Sequence, residues 1–222
     1  MKTGITELIF ILDRSGSMKG LESDTIGGFN SMIDRQKEGS KVYVTTALFD
    51  DDLEFIHDRC PIDEVTPLTK EFYFARGCTA LLDAVGITIE KTADFQKRLS
   101  EEEKADKVIF VIITDGLENS SKEFTYRHVK SLLEARKECG WEFLFLGANI
   151  DAGKEAEKIG IARNRSVTYR NDRKGVELNY EAVGRVVRKA LSIPEQKVIL
   201  DDDWADEIAA YQKSGSKGGN EK

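Results

Sequence analysis

The stretch "KVIFVIIT", Lys107 to Thr114, limits the possible folds more than any other part of the chain. Its six consecutive apolar residues, most of them β-branched, cannot alternate between a wet and a dry face, so a strand made from them must be covered on both sides. Such a strand belongs in the middle of a parallel sheet flanked by helices. The rest of the chain supplies the parts. Leu8 to Leu12, Lys41 to Phe49 and Trp141 to Gly147 are further apolar runs of strand length, with a weaker one near Ser166 to Tyr169. Between them the period turns helical. Ser23 to Gln36 places Ile26, Phe29 and Ile33 on one face, and Thr79 to Lys97 does the same with Leu81, Leu82, Val85, Ile89 and Ala93. Further helices are expected around Thr125 to Glu138, Asp151 to Ile159 and Leu178 to Ser192. This alternation predicts an α/β fold, a doubly wound, mostly parallel sheet with helices on both faces. The exception is "ALFDDDLEF", whose acidic turn predicts a hairpin and one antiparallel edge strand.

At 222 residues and 40% hydrophobic, the chain can bury one generous core and is short for two. One domain is expected over residues 1–200. Residues 201–212, with Trp204, Ile208 and Tyr211 at helical spacing, predict a terminal helix packing loosely on it, and 213–222, "KSGSKGGNEK", a disordered tail. The formal charge of −7, with no basic stripe, argues against nucleic acid as a partner, because phosphate neutralisation needs clustered Lys and Arg. The N-terminal "LIFIL" is too short to span a bilayer, so no membrane association is expected. Cys60, Cys78 and Cys139 are odd in number and contain no CxxC, which fits a reducing, cytoplasmic compartment.

Ligands of open parallel sheets bind beyond the carboxyl ends of the strands. Asp13, Ser15 and Ser17 follow the first strand in "ELIFILDRSGSMKG"; Asp115 and Gly116 follow the central one in "IITDGLENSS"; Asn149 and Asp151 follow "FLFLGANID". Gly77, Cys78 and Thr79 open the helix before the central strand. In an extended loop alternate residues face one way, so Asp13, Ser15 and Ser17 can converge while Arg14 and Gly16 turn aside. Two carboxylates and three hydroxyls then meet with no histidine or thiolate. Hard oxygen donors suit Mg²⁺, Mn²⁺ or Ca²⁺ and disfavour zinc or copper.

"DRSGSM" is similar to the D-x-S-x-S signature of the von Willebrand factor type A domain family, "GCTAL" resembles its threonine loop, and "ITDGLEN" its second aspartate loop. The three occur in the family's order, and the resemblance covers about Glu7 to Ser192. It implies a metal-ion-dependent adhesion site (MIDAS), with Ser15, Ser17 and Thr79 near the ion and Asp13 and Asp115 close by, often acting through water. A carboxylate from a partner protein would complete the coordination. By the same resemblance the chain is expected to be an intracellular adaptor, not an enzyme, with ATPase, kinase or stress-response partners.

Rival readings meet obstacles in the residues themselves. An EF-hand beginning at Asp13 would need Gly and Glu where Met18 and Asp24 stand. A serine hydrolase would need G-x-S-x-G and a nearby base, and His57 and His128 fall on an edge strand and a distant helix. A metal-dependent phosphohydrolase using Asp13 is the subtler alternative, but Ser15 occupies the place of its second acid. Cys78 is expected to be a small buried residue. Asp50, Asp51, Asp52, Glu118 and Asp151 are expected to form an acidic rim, which predicts a partner basic around one acidic anchor.

Overall fold

The computed structural model describes residues 4–36, 41–193 and 201–216. They form a six-stranded sheet in the order β3-β2-β1-β4-β5-β6. The strands are β1 (Thr6–Asp13), β2 (Val42–Phe49), β3 (Leu53–Pro61), β4 (Lys107–Thr114), β5 (Glu142–Ala148) and β6 (Ser166–Tyr169). All neighbours run parallel except the β2–β3 hairpin, so the antiparallel strand lies at one edge as expected. The helices are α1 (Glu22–Asp34), α2 (Leu81–Arg98), α3 (Tyr126–Glu138), α4 (Ala152–Lys158), α5 (Arg173–Ser192) and α6 (Asp206–Ser216).

The central strands are dry on both sides, and period-two geometry divides their side chains. Leu8, Phe10 and Leu12 of β1 and Ile109, Val111 and Ile113 of β4 pack with Phe29 of α1, Val183 and Val187 of α5 and Ile208 of α6. Ile9 and Ile11, with Val108, Phe110 and Ile112, face Leu81, Val85 and Ile89 of α2, Val129 and Leu133 of α3, and Ala156 of α4. Burying this apolar surface is the main force holding the layers together.

The C-terminal expectations need correction. Trp204 and Ile208 are buried in the first cluster and so anchor α6 firmly, with the Trp204 indole Nε1 donating to the Asn164 carbonyl at 2.8 Å. Helix α6 runs on through Ser216, so the first four residues of the expected tail are helical; 217–222 lie outside the described residues. Helix α5 starts at Arg173 rather than near Leu178, because Asp172 caps it by accepting from the Gly175 N–H at 2.8 Å. Strand order reverses between β1 and β4, and there an open α/β sheet places its ligand crevice.

Candidate metal centre

Asp13 ends β1 and Asp115 follows β4, so the strand register alone brings both carboxylates to the switch point. Leu12 pairs with Ile113, leaving Asp13 level with Thr114. The Thr114 hydroxyl donates to Asp13 Oδ2 at 2.5 Å, and the Ser15 N–H donates to Asp13 Oδ1 at 2.6 Å. Ser15 and Ser17 Oγ lie 3.0 Å apart, and Ser17 Oγ donates to Asp115 Oδ1 at 2.5 Å. Thr79 is buried, and a Cβ placed on Gly116 would fall 2.7 Å from Thr79 Oγ1 and 3.5 Å from Ser17 Oγ, so only glycine leaves these hydroxyls room. All five expected residues therefore meet at one point. Ser17 is exposed while Asp13, Ser15, Thr79 and Asp115 are buried, so the oxygen cluster opens outward on the Ser17 side.

Three loops are locked around this point. Gly16 N–H donates to the Gly77 carbonyl at 3.1 Å and Arg76 N–H to the Arg14 carbonyl at 2.9 Å, tying the threonine loop to the first one. Gly77 has φ +65°, and a Cβ there would lie 2.2 Å from Asp51 Oδ2, which makes the glycine obligatory. Asn119 clamps Thr79 reciprocally: its Oδ1 accepts from Thr79 N–H at 2.9 Å, and its N–H donates to the Thr79 carbonyl at 3.1 Å.

Electrostatics favour a cation here. Burial, opposed by hydrogen bonds from Ser15 and Thr114, pushes the Asp13 carboxyl up to about 6, and neighbouring Asp115 adds to the rise. Burial likewise raises Asp115 against the bonds from Ser17 and Asn171. Two desolvated acids thus share a site, and among the described residues no basic side chain is bonded to either. The 3.0 Å separation of the Ser15 and Ser17 hydroxyls matches the spacing of roughly 3 Å between adjacent ligands of an ion bound at about 2.1 Å. Among the described residues no three His, Cys, Asp or Glu side chains group together as metal ligands, so the donors available are hydroxyl-rich and hard. The residues fit a hard divalent ion.

Several participants went unnoticed in the sequence. Thr114, the single hydroxyl closing an apolar run, carried a signal. Tyr73 carried none; its buried hydroxyl donates to the Asp13 carbonyl at 2.5 Å. Asn171, in the turn before α5, donates from Nδ2 to Asp115 Oδ2 at 3.3 Å, a contact made by long-range topology. Asn149 and Asp151 do not join the cluster. Asp151 caps α4 and pairs with Lys154 at 3.1 Å.

The expected acidic rim forms only in part: Asp51, Asp52 and Asp151 are exposed and Glu118 half-buried, but Asp50 is withdrawn from solvent. Asp50 is buried, and its Oδ2 accepts from Arg14 Nε at 2.8 Å and Arg76 Nε at 2.7 Å. Burial alone would raise this carboxyl, but the bonds from Arg76, the Asp52 N–H and Arg14 outweigh it and hold the group below its ordinary range. Asp51 accepts from Cys78 N–H and Ser120 Oγ, and Glu118 from the N–H groups of Leu82, Ser120 and Ser121. These acids hold loops in place. Cys78 is exposed rather than buried, in a loop whose backbone is held by its N–H bond to Asp51. His57 is buried between Thr46 and Thr66, and His128 is exposed on α3; neither touches the cluster.

The sequence matches no protein-family model and no curated protein. Solved structures do resemble it. Proximal thread matrix protein 1 from the mussel byssus aligns at TM-score 0.56 and 20% identity over 84% of this chain and 46% of its own, so this chain spans less than half the mussel protein's length. The vWF domain of the type V pili tip protein Mfa5 from Porphyromonas gingivalis aligns at 0.59 and 8% identity over 86% of this chain and 97% of its own. A von Willebrand factor type A protein from Catenulispora acidiphila aligns at 0.52 and 12% identity, covering 83% of this chain and 42% of that one. The mussel protein has also been solved with a zinc-occupied MIDAS motif. The chain has the fold of a von Willebrand factor type A domain.

Proposed function

We propose that this chain is a divalent-cation-dependent protein-interaction module whose ion bridges to a carboxylate of a partner protein. The observation that carries the reading is the convergence of Asp13, Ser15, Ser17, Thr79 and Asp115 on one outward-opening point. Three hydroxyls neutralise nothing, so an ion bound there keeps charge for an external acid. Ser15, Ser17 and Thr79 would hold it directly, with Asp13 and Asp115 supporting from the strand ends. Mg²⁺ is our assignment, from the hardness of the donors; the zinc-occupied motif of the mussel protein supports divalent binding more broadly. A binding role rather than catalysis is supported by both histidines being engaged or distant. An intracellular adaptor role fits three unpaired cysteines, two of them exposed.

The test is a paired capture experiment. Immobilised protein retains partners from native extract in Mg²⁺ and releases them into EDTA, and the Thr79→Ala variant retains none. An identical catch with and without metal removes the bridge. Turnover of generic phosphate esters in Mg²⁺ or Mn²⁺, lost in Asp13→Asn, would favour the phosphohydrolase instead.

A further inference from the structure

The loops of the metal centre also carry three of the four large apolar side chains that are exposed among the described residues. Among the described residues four large ones stay exposed: Phe72 at 41%, Phe74 at 42%, Phe95 at 41% and Leu117 at 54%. Phe95 lies elsewhere on α2, with the Arg59 guanidinium stacked on it 4.8 Å from its ring centre. The other three belong to the loops around the oxygen cluster. Leu117 adjoins Gly116, whose Cα faces the Thr79 and Ser17 hydroxyls. Phe72 and Phe74 belong to the loop that Arg76 and Gly77 fasten to Arg14 and Gly16.

That loop is held unusually firmly. Arg14 is 1% exposed although it follows a metal-site aspartate, and it donates from Nη1 to the Phe72 carbonyl at 3.0 Å and to Glu54 at 2.7 Å. Its guanidinium lies 5.9 Å from the Phe74 ring centre and that of Arg76 lies 5.2 Å from the same ring, so two arginines fix one exposed phenylalanine. Burying a guanidinium costs several kcal/mol unless its partners compensate; here Asp50, Glu54 and the Phe72 carbonyl satisfy Nε and Nη1, and Nη2 has no hydrogen-bond partner among the described residues. The same guanidinium holds the Phe72 backbone and, with Arg76, the Phe74 ring, and a ring fixed in advance loses little entropy when a partner covers it.

Of the acids in the hairpin turn, Asp50 is buried against Arg14 and Arg76, whose own side chain is 44% exposed, whereas Asp51 and Asp52 are exposed. An ion held by three hydroxyls with Asp13 and Asp115 beside it would offer its open position to one external carboxylate, and Leu117, Phe72 and Phe74 leave exposed apolar surface for the partner to cover.

We infer that the partner contributes an Asp or Glu flanked by apolar or aromatic residues, the acid meeting the metal and the flanks covering Leu117, Phe72 and Phe74. This rests on the metal-bridge reading and replaces the basic partner surface expected from the sequence. Buried aromatic contacts around one anchored charge are the usual source of binding energy at such interfaces.

The experiment uses labelled pentapeptide probes in Mg²⁺ at up to millimolar concentration: acetyl-Gly-Phe-Asp-Leu-Gly-amide, the same with Ser at both flanks, the same with Lys at both flanks, and an Asn-for-Asp control. Metal affinity is measured separately by Mn²⁺ titration. The apolar-flanked acid should bind about tenfold tighter than the Ser-flanked one. That advantage should vanish in the Phe72→Ser/Phe74→Ser/Leu117→Ser variant, with Mn²⁺ affinity unchanged. Equal binding of the apolar- and Ser-flanked acids, or tightest binding of the Lys-flanked one, overturns the apolar surface and leaves the bridge standing. Binding of the Asn control as well as the Asp peptide, or no binding of any acid to metal-loaded protein, overturns both.

Discussion

Asn171 donates its Nδ2 to Asp115 Oδ2 at 3.3 Å across 56 residues of sequence, joining the turn that starts α5 to the loop that ends the central strand. Asp115 already accepts from Ser17 through its other oxygen, so Asn171 fixes the second one and with it the carboxylate plane. Groups that orient metal ligands commonly contribute tenfold or more to affinity. Asn171→Ala is expected to weaken Mn²⁺ binding by roughly tenfold in a titration followed by calorimetry. Its thermal stability in EDTA should stay close to that of the parent, which separates loss of orientation from loss of fold.

Arg14 and Asp50 form the buried ion pair on which the threonine loop rests, both side chains being almost wholly inaccessible. Removing Arg14 leaves buried Asp50 with Arg76 and the Asp52 N–H as partners, so its charge is only partly compensated. Arg14→Met is expected to cost about 3 kcal/mol, the lower end for a broken buried pair, in urea denaturation. Combining it with Asp50→Asn should recover part of that loss, since the stranded charge goes as well. Full additivity of the two substitutions would show that the pair is not coupled.

What the sequence made legible, and what it hid, follows from the range of the interactions. The strand ends were readable because "LIFILD" and "VIFVIITD" both close on an aspartate, and adjacency of β1 and β4 turns that repetition into a site. Thr79 was readable by its loop motif. Asn171 was not, since its role depends on the placement of β6 beside β5 and on Asp172 capping α5. Asp50 was misread for a related reason. An acidic turn looks solvated until two arginines, 36 and 26 residues away, are known to close over it. Cys78 shows the same limit at one residue, for the loop that leaves it exposed is held by Asp51, 27 residues away.

Two buried tyrosines, Tyr73 and Tyr180, differ in one respect. The Tyr73 hydroxyl donates to the Asp13 carbonyl, whereas the Tyr180 hydroxyl has no hydrogen-bond partner among the described residues. A satisfied buried bond and an unsatisfied buried hydroxyl contribute with opposite sign. Tyr73→Phe is expected to cost about 1–3 kcal/mol in EDTA, whereas Tyr180→Phe should leave stability unchanged or raise it. Equilibrium unfolding of the two variants, measured side by side, decides the point; a comparable loss in both would mean that Tyr180 is bonded in solution.

His57 sets a pH dependence away from the metal centre. It is buried between strands β2 and β3, with Nδ1 3.0 Å from the Thr46 hydroxyl and Nε2 3.0 Å from the Thr66 carbonyl. Burial pushes its pKa below the usual 6.5, and the bond to the Thr66 carbonyl only partly opposes this. The folded state therefore favours the neutral ring. As pH falls through 6.5, the unfolded chain takes up a proton that the folded protein still refuses, so His57 subtracts stability progressively until the pH reaches the folded-state pKa. Above 6.5 both states are neutral and the penalty is absent. A His57→Gln variant, which keeps hydrogen-bonding capacity but cannot be charged, is expected to start less stable at neutral pH and to lose less on acidification. The measurement is the difference in urea midpoint between variant and parent from pH 7.5 to 5. That difference should narrow steadily on the acid side of 6.5, and a constant difference would show that the ring titrates alike in both states.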